Sequence, residues 1–207
     1  WGQWFRAAGW ILGTMPVVPA VGNHEYPSKQ TVPRVVTPHW RAQFTLPENG
    51  LKGFEEYNYY LDIQGVRIVA LNSYERQAEQ AEWLDRVLTE NRQRWAVLVF
   101  HHPIHSSMKG QDNKALREMW QPVIDKHKVD LVLQGDEHSY ARGNLVTGTN
   151  FLTGRTMYVV SVGGPQMYEV ETRPWMRMSA EDTQLFQVIS VDHDRLSYES
   201  RTARGSL

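Results

Sequence analysis

The chain has no cysteine in its 207 residues, which excludes disulfide bonds and thiolate metal sites. Any metal must be held by nitrogen and oxygen donors from His, Asp, Asn or Glu. A large charge of one sign is also missing: 22 Lys and Arg stand against 23 Asp and Glu. With no block of like charges to form a basic face, nucleic acid is not an expected partner. No apolar run approaches the roughly 20 residues of a membrane-spanning helix, and no secretory leader is visible at the start. What is present is a hydrophobic fraction of 41%, enough for one sizeable core, so a single domain over residues 1–207 is expected.

Hydrophobic spacing predicts the elements. Trp1, Trp4, Phe5, Ala8 and Leu12 fall at helical intervals, which predicts a helix with a core-facing stripe, closed by Gly13. Pro16 then precedes a predicted buried strand over residues 17–21. A chain that opens inside a helix, on Trp1 rather than methionine, is expected to be truncated at its N-terminus. Tyr57, Tyr59, Leu61 and Ile63 alternate before Gln64-Gly65, and an apolar run over 66–71 returns, which reads as a hairpin. A helix is predicted over 75–91, with Ala81, Leu84, Val87 and Leu88 inward and Glu79, Glu82, Asp85 and Arg86 toward water. A strand over 96–100, a polar loop, and a helix containing Leu116, Trp120 and Ile124 come next, the helix capped by Asp112 or Asn113. Strands over 131–133, 157–162, 185–191 and 196–199 complete a sheet-centred α/β domain.

Three of the predicted strands end in histidine-bearing turns. Residues 17–21 lead into Gly22, Asn23, His24 and Glu25; residues 96–100 into His101 and His102; residues 131–133 into Gly135, Asp136, Glu137 and His138. In open α/β sheets ligands bind in the crevice at the carboxyl ends of the strands. Donors distant in sequence can therefore converge there on one ion, and this mixture of imidazole, amide and carboxylate suits zinc, iron or manganese.

These turns resemble those of calcineurin-like metallophosphoesterases, the purple acid phosphatase-like branch above all. The tyrosine-rich hairpin before Asn72-Ser73, the helix containing Glu82-Trp83-Leu84 and the run Val162-Gly163-Gly164-Pro165 extend the likeness over most of the chain. The resemblance implies a central β-sandwich flanked by helices, here incomplete, and hydrolysis of phosphate esters, phosphomonoesters foremost, by metal-activated water. It implies two metal ions (iron, zinc or manganese) and a small phosphorylated substrate. Asn23 and His101 would ligate one metal and His138 the other, while His24, beside a ligand, would reach the phosphate or protonate the departing alkoxide as general acid. Glu25 would orient the His24 ring, and His102 would pack behind the site or touch the substrate. His105, Lys109 and Asn113 read as solvated loop groups, and His39, His127 and His193 as surface or core histidines without partner motifs. An extracytoplasmic location is implied by the resemblance alone.

Two departures from the family pattern follow. The third motif ordinarily reads glycine, histidine, any residue, histidine, whereas Asp136 occupies the first histidine position. Its oxygen can still ligate zinc, manganese or iron, and Glu137 either compensates or faces solvent. The Asp-x-His and Gly-Asp motifs expected upstream, which would supply a terminal and a bridging aspartate, are missing from these 207 residues. The chain by itself is therefore expected to be inactive. The alternative is a non-catalytic descendant that binds one metal or a phosphorylated ligand.

Overall fold

The computed structural model describes residues 1–27, 35–144 and 156–206. The chain forms a seven-stranded mixed sheet with two helices on one face and a three-stranded sheet on the other. The hairpin strands β1 (Tyr59–Ile63) and β2 (Val66–Ala70) pair antiparallel. Gln64 and Gly65 between them have φ of 47° and 84°, the left-handed pair that matches strand twist in a two-residue turn. Next come β3 (Trp95–Val99), β4 (Leu131–Gln134), β5 (Tyr140–Gly143), β6 (Met157–Val160) and β7 (Met176–Ala180). The sheet order is β1-β2-β3-β4-β6-β5-β7, with β2, β3, β4 and β6 mutually parallel. The small sheet consists of β8 (Leu185–Val191), β9 (Leu196–Thr202) and β10 (Gly205–Ser206), all antiparallel.

Residue parity along the strands assigns the two faces. Ala96, Leu98, Val132, Tyr158 and Val160 pack with Trp83, Leu84, Leu116, Trp120 and Ile124 from the helices α4 (Gln77–Thr89) and α5 (Lys114–His127). Val97, Leu131 and Val159, one residue out of phase, pack against Leu185, Ile189 and Leu196 of the small sheet. This is the sandwich with flanking helices that the family resemblance implies. Toward the β1 edge the two sheets part, leaving an apolar cleft of about 360 Å³ lined by Val18, Ile63, Ile68, Val97, Ile189 and Val191. Among the described residues no helix is long and apolar enough to cross a membrane.

The first 25 residues correct the sequence reading. The helix stops at Gly9, whose φ is 53°, so α1 (Gly2–Ala8) and α2 (Ile11–Thr14) are separate short elements and Gly13 lies inside the second. Neither buries a residue. Trp1, Trp4 and Phe5 instead edge-pack on one another and on Phe44, which follows α3 (His39–Gln43), and Trp10 is 74% exposed. Residues 17–21 form no strand but coil. Pro16 and Pro19 offer no N–H to a ladder, which disfavours a place in a sheet interior. The coil is held in part by the Tyr59 hydroxyl, which donates to the Pro19 carbonyl at 2.7 Å.

Two further readings change. Asp85 on α4 does not simply face water but accepts from Lys126 and His127 of α5, which gives His127 a partner. His105 is not a solvated loop residue: it is 6% exposed, edge-on to Tyr158, and its Nε2 has no hydrogen-bond partner among the described residues. Burial, reinforced by the Arg117 charge and opposed by Asp112, lowers its pKa from 6.5 to about 4. Between those values the unfolded chain binds a proton that the folded chain refuses. The stability contributed by neutral His105 is thus complete above pH 6.5 and lost as pH falls toward 4, amounting to about 3 kcal/mol. Urea unfolding at pH 7, 5.5 and 4 should show this slope in the parent and a shallower one in His105→Phe; equal slopes would contradict it.

Candidate metal centre

Parallel strands place their carboxyl ends side by side, and four of them feed one cleft. β2 leads to Asn72 and Ser73, β3 to His101 and His102, β4 to the turn 135–138, and β6 to the segment that ends in Tyr168. The coil before Asn23 brings a short 3-10 turn, Asn23–Glu25, over the same end. The cleft, about 530 Å³, is lined by Asn23, His24, His101, His102, Asp136 and His138. All four proposed metal donors and the proposed general acid therefore share one space. Met108, Gln111, Asn113, Glu137, Gln166 and Tyr168 complete the wall, and the sequence reading assigns no site role to Gln111, Asn113, Gln166 or Tyr168.

At the centre, His101 Nε2 lies 3.0 Å from Asp136 Oδ1 and 3.2 Å from Asn23 Oδ1. One ring N–H cannot point linearly at two acceptors, whereas a nitrogen lone pair and two oxygens are what a borderline cation gathers. The ring comes this close to the first turn because residue 22 is glycine. A Cβ there would meet His101 Nδ1 at 3.0 Å and Glu25 Oε2 at 3.2 Å, tighter than ordinary contact. The hydrogen bond from His101 holds the Asp136 carboxyl below its ordinary pKa against the opposing effect of burial, and the His101, His102 and His138 charges act in the same direction.

His102 is built in more firmly than the sequence reading supposed. Ser73 Oγ accepts from its backbone N–H at 2.9 Å and bonds its Nδ1 at 2.9 Å, and Tyr74 stacks on the ring with centroids 5.5 Å apart. His101, His102 and Asp136 each bring a donor atom within 4.8 Å of the others. His138 stands at the cleft's side with its Nδ1 buried and unpaired among the described residues.

Glu137 and Glu25 both differ from expectation. Glu137 neither faces solvent nor compensates for Asp136: it is 2% exposed, and its Oε2 accepts from the Ser107 N–H, the Ser107 hydroxyl and the Met108 N–H. In the turn, Asp136 and His138 take φ of 66° and 44°. The anchored middle residue points inward while its neighbours reach the cleft. Glu25 accepts from the Gly22 N–H at 2.8 Å and closes its own turn, and the expected bond to the His24 ring is absent among the described residues. His24 itself is exposed at the cleft. Lys109 is exposed and paired with Glu169, while Asn113 caps α5 in position only, its amide donating to the Pro103 carbonyl.

The sequence matches the profile of the calcineurin-like phosphoesterases over residues 1–140. The chain belongs to the calcineurin-like phosphoesterase family. Its relatives include a probable purple acid phosphatase of Arabidopsis thaliana, 26% identical over 98% of this chain and 49% of the relative. A phosphoenolpyruvate phosphatase of Allium cepa is 25% identical over 98% of this chain and 46% of the relative. The chain thus spans about half the length of these two proteins. Among solved structures, a purple acid phosphatase from yellow lupin seeds shares the fold with a TM-score of 0.64 at 20% identity, over 79% of this chain and 33% of that one. The protein described as the anchor in the inner membrane complex of Plasmodium shares it with a TM-score of 0.55 at 12% identity, over 72% of this chain and 52% of that one. In this calcineurin-like phosphoesterase, five nitrogen or oxygen donors face the cleft from Asn23, His101, His102, Asp136 and His138. That set fits one cation of roughly four ligands and leaves a donor over.

Proposed function

We propose that the protein hydrolyses phosphate esters, phosphomonoesters foremost, in the cleft at the carboxyl ends of β2, β3, β4 and β6, with His24 as general acid. The observation that carries this reading is the approach of Asp136 and Asn23 oxygens to one nitrogen of His101, in a chain of this family. Asn23, His101 and Asp136 would hold one cation, and His138 would contribute to a second. When bound, such cations neutralise the phosphate oxygens and make hydroxide available near neutral pH. Attack at phosphorus breaks the bond to the leaving group, and the His24 ring gives its proton to the departing oxygen. His102, held by Ser73 and Tyr74, would meet the phosphate from the other side. A location outside the cytoplasm agrees with the purple acid phosphatase likeness.

The described donors suffice for one cation, so we expect the 207-residue chain alone to bind one metal and turn over little. That count, together with a carboxylate at position 136, favours a second reading: a family member that binds a metal or a phosphorylated ligand without catalysis. Metal content and turnover of the full-length gene product separate the two. For an enzyme, two metals per chain are expected, with hydrolysis that falls about 100-fold or more in His24→Ala on an alkyl phosphate. The loss should be smaller on nitrophenyl phosphate, whose leaving group needs little acid assistance. One metal and no turnover would leave only the binding reading.

A further inference from the structure

Tyr168 is carried by no sequence motif, yet it forms the wall beside His138. Its ring lies nearly parallel to the imidazole, with centroids 4.7 Å apart and 13° between planes. Its N–H donates to the His138 carbonyl at 3.1 Å, and its hydroxyl accepts from Gln166 Nε2 at 3.0 Å. Just beyond it, Met108 and Val170 form an antiparallel bridge, the Lys109 N–H donates to the Glu169 carbonyl at 3.2 Å, and the Glu171 N–H to the Ser107 carbonyl at 2.9 Å. Ser107 and Met108 are the residues that Glu137 holds from inside the turn. The turn 135–138 is therefore gripped from both sides, by Glu137 below and through the 168–171 segment above.

Histidines that bind metals ordinarily have their ring plane fixed by a hydrogen bond to the second nitrogen. His138 has none among the described residues at Nδ1, and the flat face of Tyr168 takes its place. We propose that Tyr168 is a positioning residue for His138: it sets the imidazole plane and so keeps a ring nitrogen presented to the cleft. The inference rests on the proposed role of His138 as a metal donor.

Zinc titration of the full-length gene product by calorimetry, read at the second cation to which His138 would contribute, tests it, with Tyr168→Leu, Tyr168→Phe, His138→Ala and the double variant Tyr168→Leu/His138→Ala. Leucine keeps bulk without a flat face, and zinc affinity should fall about tenfold. Phenylalanine keeps the stack and should stay within about twofold of the parent. In the His138→Ala background the leucine change should cost nothing further. In the metal-free protein, the ring-current shift on the His138 ring protons should be present in the parent and Tyr168→Phe and absent in Tyr168→Leu. Parent-like affinity in Tyr168→Leu beside a loss in His138→Ala would overturn the positioning role alone, as would a large loss in a folded Tyr168→Phe. Parent-like affinity in His138→Ala, or no zinc binding by the parent, would overturn the donor reading and this inference together.

Discussion

Replacing His101 with alanine is expected to weaken zinc or manganese binding more than about 100-fold, beyond the 10–100-fold loss typical of removing a group that only orients a ligand. The reason is geometric. His101 Nε2 is the point at which the Asp136 and Asn23 oxygens come within 3.0 and 3.2 Å, so its loss removes one donor and leaves the other two without a common centre. Asp136→Asn should be milder, since the amide oxygen keeps a donor while removing the charge that attracts the cation. His193→Ala serves as the control: that ring is exposed and, among the described residues, bonded only to Asp194, and its loss should leave affinity unchanged. Calorimetric titration of the three variants checks the order. A His101→Ala protein that binds metal like the parent would mean that the cation sits elsewhere.

The second large effect falls on stability. Glu137→Ala is expected to lower the free energy of unfolding by about 3 kcal/mol or more, because three donors around one buried carboxylate oxygen lose their acceptor. Those donors are the buried Ser107 N–H, the Ser107 hydroxyl, which also bonds Ser139, and the half-buried Met108 N–H. The turn would also relax, since left-handed backbone at Asp136 and His138 costs about 1 kcal/mol each or more and Glu137 is what holds it. Metal affinity should therefore fall in parallel although Glu137 does not face the cation. Glu137→Gln presents an amide oxygen in the same place and should cost less than half as much. Urea unfolding of the metal-free proteins provides the measurement, and an alanine variant within about 0.5 kcal/mol of the parent would contradict the anchor.

Where local pattern and tertiary setting agree, the sequence was easy to read. The hairpin around Gln64-Gly65 and the strands before His101 and Asp136 lie where alternation and apolar runs place them. The apolar content of residues 17–21 predicts a strand, but Pro19 within the span removes a ladder donor and the segment stays coil. The N-terminal stripe was misread because Gly9 turns the chain before Leu12 can continue it. Ser73, noted only as part of the family likeness, and Tyr168 carry no site role legible in the sequence for a different reason: histidine marks two strand ends, while β2 and β6 deliver a serine and a tyrosine that become meaningful only once all four strands are known to run parallel. Glu137 could have been found from its place. Between two residues that face a site in a tight turn, the middle one points the other way, and a buried carboxylate there must be fully bonded.

Anomalous diffraction from crystals of the protein grown with zinc, recorded on both sides of the zinc edge, tests the shared cation site most directly. The expected result is a peak bonded to His101 Nε2 and to oxygens of Asp136 and Asn23 at about 2.0–2.2 Å. Zinc found instead on His39, His127 or His193, with none between His101 and Asp136, would contradict it.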